Sequence, residues 1–119
     1  MSVIQTTTDA KRLDATFFAL SDATRRAILL RLAGGEATVN ELTESFAISQ
    51  PAISRHLKVL EQAGLIHRGR DAQRRPARID TASIAEIAMW IERYRERWEA
   101  TYQRLDVALA GEMKARKKT

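Results

Sequence analysis

The chain contains no cysteine, only two histidines and no long apolar segment. The missing cysteines exclude disulfides, thiolate metal sites and thiol redox sensing. Zinc and softer metals need closed sets of nitrogen or sulfur ligands, so we predict no metal site. No apolar run approaches the length of a membrane span, and polar residues 1–10 do not resemble a signal peptide. We therefore expect a cytoplasmic protein with no membrane contact and no cofactor.

Motifs for catalysis are also missing from the sequence. It has no glycine-rich phosphate loop, no nucleophile elbow and no His-Glu-x-x-His pair. Carboxylates are plentiful, but they stand among basic residues on helical faces, where solvated ion pairs are the usual outcome. The sequence therefore predicts that the protein is not an enzyme.

Length and charge indicate the number of domains and the kind of partner. The chain has 119 residues, 45% of them hydrophobic, which suits one domain with a single core. Twenty lysines and arginines against 15 aspartates and glutamates give a net charge of +5. Such a charge suits a polyanionic partner, although many basic proteins bind no nucleic acid specifically.

Residues 48–66 predict one helix with an apolar and a polar face. Ser49 is a good N-cap, Pro51 is tolerated in a first turn, and Gly64 can supply the left-handed residue that ends helices. At 100° per residue, the apolar positions share one narrow sector and should face a core: Ile53, Leu57 and Leu60. Periodicity alone leaves two interpretations open, an ordinary amphipathic surface helix and a helix that reads DNA.

The preceding segment, residues 38–47, favours the DNA-reading interpretation. Thr38 and Glu41 form a Thr-x-x-Glu capping box, and Val39, Leu42 and Phe46 make a short apolar stripe. Two short helices joined by so tight a turn predict a helix-turn-helix, whose second helix fits the major groove.

The hairpin predicted after the second helix is rich in arginine. Residues 65–66 and 77–79 should be short strands joined by residues 71–74, and five arginines lie between positions 65 and 80 against two aspartates. As a β-wing, this hairpin would place arginines on phosphates or in the adjacent minor groove. The alternative is a solvated basic hairpin.

Together these segments resemble the ArsR/SmtB family of bacterial winged-helix repressors. The resemblance covers about residues 13–110. It is carried by the Thr-Arg-Arg helix of residues 21–35 and, after it, by Ser54, His56, Leu57, Leu60 and Gly64. It implies a mostly α winged helix-turn-helix with a small β-hairpin wing, acting as a homodimeric repressor that reads an inverted repeat in double-stranded DNA.

The resemblance, combined with the polar face and the wing, gives the expected DNA-binding residues. They are Thr38, Ser49, Gln50, Pro51, Ser54, Arg55, His56, Lys58, Arg70, Arg74 and Arg75. Two rival functions remain, a winged-helix module that binds an acidic protein and a nonspecific architectural DNA binder. The polar face favours specific reading, because Gln50, Ser54 and Arg55 offer base-edge chemistry that phosphate binding does not require.

The last predicted helix, residues 81–110, carries more apolar surface than one winged-helix core can cover. The family's solution is a homodimer built from the first and last helices. We expect its interface at Leu13, Phe17, Phe18, Ile87, Ile91, Tyr94, Trp98, Tyr102 and Leu105. The alternative is that this helix folds back on its own domain. Residues 1–12 should be flexible, and residues 111–119 should form a disordered basic tail.

Family members that sense metals use cysteines near the first helix of the helix-turn-helix, or histidines on the last helix. Residues 36–43 contain no cysteine, and the last helix contains no histidine. The chain therefore resembles the metal-independent branch. Release from DNA would then need an apolar small-molecule effector near Trp90, Tyr94 and Trp98, or dilution of an autorepressor. The alternative is that these aromatic side chains only pack.

Overall fold

The computed structural model describes residues 3–70 and 74–117. The elements in chain order are α1 (Val3–Leu20), α2 (Ala23–Ala33), α3 (Val39–Phe46), α4 (Gln50–Gln62), β1 (Ile66–Arg68), β2 (Ala77–Ile79) and α5 (Thr81–Lys117). This order confirms the predicted class, a mostly helical fold with a small β-hairpin. Among the described residues, none of the helices combines the length and the apolar character that crossing a bilayer requires. The chain divides into two units, Met1–Ile84 and Ala85–Thr119.

The first unit has one hydrophobic core between its helices and its hairpin. Helices α1, α2 and α4 contact one another, α3 packs on α4, and β1 and β2 contact α4 and α2 respectively. The predicted apolar sector of α4 is confirmed, because Ile53, Leu57 and Leu60 are completely buried. The other large side chains that are fully buried are Ile28, Leu42, Leu65 and Ile66.

Side-chain caps fix the helix ends in this unit. The Asp22 carboxylate accepts a hydrogen bond from the Arg25 backbone N–H at 3.0 Å and starts α2. The Asp80 carboxylate accepts one from the Ser83 N–H, also at 3.0 Å, and starts α5. Arg25 and Arg26 donate to carbonyls in the last turn of α1, at Ala19 and Leu20, with both distances 2.7 Å. These two arginines therefore have a structural role.

The hairpin is antiparallel, with Ile66 opposite Ile79 and Arg68 opposite Ala77. Its first strand begins one residue later than predicted. The second strand is also paired on its other side, because Ala37 and Ala77 exchange backbone hydrogen bonds of 3.0 and 2.7 Å. This fixes the base of the hairpin to the chain just before α3. Most of the predicted connection, residues 71–73, lies outside the described residues.

Two helices are longer than the sequence analysis predicted. The first begins at Val3 instead of near Leu13, so most of the segment expected to be flexible is helical. The last ends at Lys117 instead of near position 110, so most of the expected disordered tail is helical too. No proline or glycine interrupts residues 3–12, and Gly111 alone disfavours the helix by only about 1 kcal/mol relative to alanine. The domain boundaries at 13 and 110 stay a prediction.

The second unit consists of α5 from Ala85 onward. Its aromatic side chains form a row along the helix, with ring centroids 5.1 Å apart for Trp90–Tyr94, 5.8 Å for Tyr94–Trp98 and 5.6 Å for Trp98–Tyr102. The spacing of four residues puts each ring on the next, because residues i and i+4 are neighbours on a helix surface.

Candidate nucleic-acid interface

The turn between α3 and α4 is short and fixed at both ends. The capping box is confirmed, because Thr38 Oγ1 accepts from the Glu41 N–H and Glu41 Oε1 accepts from the Thr38 N–H, both at 3.2 Å. After α3, Ala47 adopts a left-handed conformation with φ of 53°, and Ser49 then caps α4 by accepting from the Ala52 N–H at 3.3 Å. The two helices therefore form the expected helix-turn-helix.

Helix α4 presents a polar face to solvent. Its core residues occupy one sector, so the positions on the other side remain outside the packing. The exposed residues from the predicted set are Ser49, Gln50, Pro51, Ser54, Arg55 and Lys58. Their amide, hydroxyl, guanidinium and ammonium groups can donate to base edges and phosphates along one surface.

His56 lies elsewhere. Its side chain is 21% exposed, and its Nδ1 lies 3.9 Å from Oδ2 of Asp22, the N-cap of α2. The reason is angular, since His56 follows Ile53 by three positions and projects only about 60° from that buried residue on a helix of 100° per residue. The structure therefore directs His56 towards α2, and its expected contact with DNA stays a prediction.

A cleft of about 420 Å³ joins the wing to the N-termini of α3 and α4. It is lined by Thr38, Val39, Asn40, Glu41, Gln50, Arg68, Arg74 and Arg75. Four predicted DNA-binding residues thus meet at one place: Thr38, Gln50, Arg74 and Arg75. Arg70 is exposed as well, but it is not among the described residues that line the cleft.

The cleft is electropositive. Among the described residues, three guanidinium groups line it against one carboxylate, that of Glu41. The Thr38 backbone N–H, and after it the Thr38 hydroxyl, hold the pKa of Glu41 below its usual value. Oε1 of Glu41 is thus already bound by two donors of Thr38 at the helix cap. The N-terminus of α3 adds further positive potential to the cleft. The arrangement suits a polyanion.

Two contributions to this interface were missed from sequence. Arg68 lines the cleft and donates from Nε to the Arg75 carbonyl at 3.0 Å, and Asn40 lines the cleft from the first turn of α3. For Arg68 the sequence offers one signal. Gly69 and Pro76 lie at the two ends of the connection, residues 70–75, that carries the wing arginines. A Cβ on Gly69 would lie 2.9 Å from Pro76 Cδ, so the two arms of the hairpin approach closely there.

The predicted dimer residues are largely exposed within each unit. In the first unit, Phe17 is 42% and Phe18 63% exposed, while Leu13 is half-buried. In the second unit Ile87 is half-buried, and the exposed residues of the predicted stripe are Ile91, Tyr94, Trp98, Tyr102 and Leu105. Each unit therefore carries large apolar side chains that its own fold leaves in contact with water.

Known proteins resemble this chain in sequence and architecture. The model of the family described as "Bacterial regulatory protein, arsR family" matches residues 22–68, from the cap of α2 to the end of β1. The HTH-type transcriptional regulator Rv2034 of Mycobacterium tuberculosis is 38% identical over 92 residues, which are 77% of this chain and 86% of that protein. The chain belongs to the ArsR family of bacterial regulatory proteins.

Other ArsR-family proteins agree with this assignment. The transcriptional repressor SdpR of Bacillus subtilis is 38% identical over 79 residues, covering 66% of this chain and 88% of SdpR. The crystal structure of the ArsR family transcriptional regulator RHA00566 superposes with a TM-score of 0.67 at 35% identity, over 74% of this chain and 97% of that one. The protein is thus a DNA-binding transcriptional regulator of the winged helix-turn-helix type and not an enzyme.

Proposed function

We propose that the protein is a homodimeric, metal-independent repressor that reads an inverted repeat. In this proposal α4 lies in the major groove, with Gln50, Ser54, Arg55 and Lys58 towards the bases. The wing arginines hold the DNA backbone or the adjacent minor groove, and Thr38 binds a phosphate. The cytoplasm would be its place of action. The observation that carries the proposal is the cleft where the wing meets the N-termini of α3 and α4.

A sequence-specific role is favoured over the two rivals by the mixture of groups on this surface. A phosphate binder needs only positive charge, whereas α4 also exposes the Gln50 amide and the Ser54 hydroxyl. A module for an acidic protein would have no need of a polar helix shaped for the major groove. The relative from Bacillus subtilis is named a transcriptional repressor, which supports repression over activation.

Sequencing of retained DNA tests this function. Purified protein is mixed with fragmented genomic DNA at physiological salt, and the bound fragments are sequenced. A recurrent inverted repeat is expected, with half-site centres about one helical turn, or 34–36 Å, apart. Retention without any shared sequence would support an architectural binder, and no retention would support a protein-binding module.

The dimer part of the proposal rests on the exposed apolar side chains of both units. Trp98 is 43% and Ile91 48% exposed, and burying such side chains is worth about 25 cal/mol per Å². A second copy would cover the stripe and pair two α4 helices about a two-fold axis. One solved neighbour, from Mycobacterium bovis, is described as a homodimeric winged helix-turn-helix domain, with 22% identity and a TM-score of 0.66. We assign the aromatic row to this interface and not to an effector.

The wing arginines should act through charge. We expect Arg74→Ala and Arg75→Ala each to weaken binding to the inverted repeat and to scrambled DNA alike. Each change should also lower the slope of log K against log salt by about one unit per protomer, or about two for the dimer, because each lost phosphate contact releases one counterion fewer. The measurement is fluorescence anisotropy of labelled DNA across a salt series. Arg93→Ala, the same charge change on α5, is the matched control, and an equal effect there would contradict the assignment.

Metals should leave DNA binding unchanged. Within residues 10–70 and 74–116, no three histidine, cysteine, aspartate or glutamate side chains lie close enough to hold a metal ion. A ligand shifts an equilibrium only by its difference in affinity between two states, and no such difference is expected here. Zinc, copper and arsenite are titrated in turn into the protein–DNA complex while anisotropy is followed. About a tenfold loss of affinity, or 1.4 kcal/mol, at one metal per protomer would overturn the metal-independent assignment.

A further inference from the structure

The chain returns from the tip of the wing to β2 through residues 74–76. This return arm has an unusual backbone at Arg75. Its φ is +33°, a left-handed conformation that side-chain-bearing residues seldom adopt. Such a conformation persists only where the surroundings hold it. The side chain of Arg68 does so directly, since its Nε donates to the Arg75 carbonyl at 3.0 Å.

Backbone pairing fixes the residues next to both ends of this hydrogen bond. Arg68 lies opposite Ala77 in the hairpin, and the Gly69 N–H donates to the Pro76 carbonyl at 2.8 Å. Ala77 in turn exchanges two hydrogen bonds with Ala37, immediately before α3. A continuous set of hydrogen bonds therefore runs from the start of the helix-turn-helix, through both arms of the hairpin, to the Arg68 guanidinium.

The Arg68 side chain is less exposed than those of its neighbours Arg70, Arg74 and Arg75. Burial lowers its pKa, the positive charge of Arg75 lowers it further, and the negative charge of Glu61 offsets part of this shift. A guanidinium stays charged despite this, and its planar donors have fixed directions. The bond to the Arg75 carbonyl gives this partly buried guanidinium a fixed partner.

We propose that Arg68 is a positioning residue of the DNA interface: its guanidinium holds the return arm so that Arg74 and Arg75 face the same cleft as Thr38 and Gln50. This inference rests on the proposed DNA-binding function and adds a role to it. The wing's contribution to binding then depends on the shape of the Arg68 side chain as well as on the charges of Arg74 and Arg75. A lysine keeps the charge of Arg68 but has no donor at the Nε position, so it cannot replace arginine here.

The test is a mutant cycle measured by anisotropy over a salt series, on the DNA that the wild-type protein retains. We expect Arg68→Lys to lower the salt slope by about two units per protomer, as the double variant Arg74→Ala/Arg75→Ala does. Adding Arg68→Lys to that double variant should change affinity by no more than about twofold, because the arginines it positions are already gone. Base preferences that depend on α4 should persist. Arg78→Lys, an exposed lysine substitution in the same hairpin, is the matched control and should have no effect.

Two results would overturn the proposal. If Arg68 itself binds a phosphate, Arg68→Lys keeps the wild-type slope, while Arg68→Ala lowers it by about one unit per protomer and adds to the double variant. If Arg68 only stabilises the domain, Arg68→Lys lowers the thermal midpoint without changing the slope of the folded protein. Wild-type protein that retains no DNA would contradict the proposed function instead, so the two failures are distinguishable.

Discussion

Replacing Trp98 with glutamate should convert a dimer into monomers. Trp98 lies in the middle of the aromatic row, between Tyr94 and Tyr102, and is 43% exposed in a single chain. A carboxylate at that position would have to lose its water in the interface without a partner, which is strongly unfavourable. Sedimentation equilibrium should therefore show the mass of one chain. Affinity for the inverted repeat should fall by about 100-fold or more, because each half-site is then bound without the effective concentration of the second.

The same helix offers a matched control for this change. Val107 is 73% exposed and follows Trp98 by nine residues, which places it about 180° around the helix, on the opposite side. Val107→Glu introduces the same charge on α5 but should leave both the dimer and DNA binding intact. A Trp98→Glu protein that still sediments as a dimer would remove the stripe from the interface. If Val107→Glu dissociated the dimer equally, the effect would be due to charge on α5 in general.

The parts of the fold that the sequence predicted well are local. Helix α4 was placed from Ser49, Pro51 and Gly64, which lie within or beside it, and the structure confirms a serine cap and a left-handed glycine with φ of 77°. The Thr38–Glu41 capping box also spans four residues only. Helix caps and i, i+4 patterns are decided by neighbours in the chain, so they can be read from it directly.

Contacts between distant residues could not be predicted in this way. The pairing of Ala37 with Ala77 joins two alanines 40 positions apart that carry no distinguishing chemistry. His56 was among the expected DNA-binding residues of α4, although its angular position lies at the margin of the apolar sector. Only the packing of α2 shows that Asp22 occupies that side. The role of Arg68 was hidden for a similar reason, since its partner is a backbone carbonyl seven residues away, and any residue has one.

Arg55→Ala should separate the reading of bases from the holding of the backbone. Arg55 is exposed on α4 and projects about 160° from the buried Ile53, so a helix lying in the major groove would aim it at base edges. A bidentate contact to one base is worth about 1–3 kcal/mol, or roughly 5- to 150-fold in affinity. We expect this loss on the inverted repeat, a much smaller loss on scrambled DNA, and relaxed preference at one base position in each half-site. Competition binding with single-base variants of the repeat measures all three.

Arg55→Lys decides how that loss is to be interpreted. Lysine keeps the positive charge but not the planar pair of donors that a guanine accepts through O6 and N7. If Arg55 reads a base, the lysine variant should resemble the alanine variant in its base preference while keeping the wild-type salt slope. If Arg55 holds a phosphate, lysine should restore both affinity and preference, and Arg55→Ala should weaken the repeat and scrambled DNA equally. Arg93→Ala, on α5, removes the same charge from a residue outside α4 and the wing and should match the wild type in every measurement.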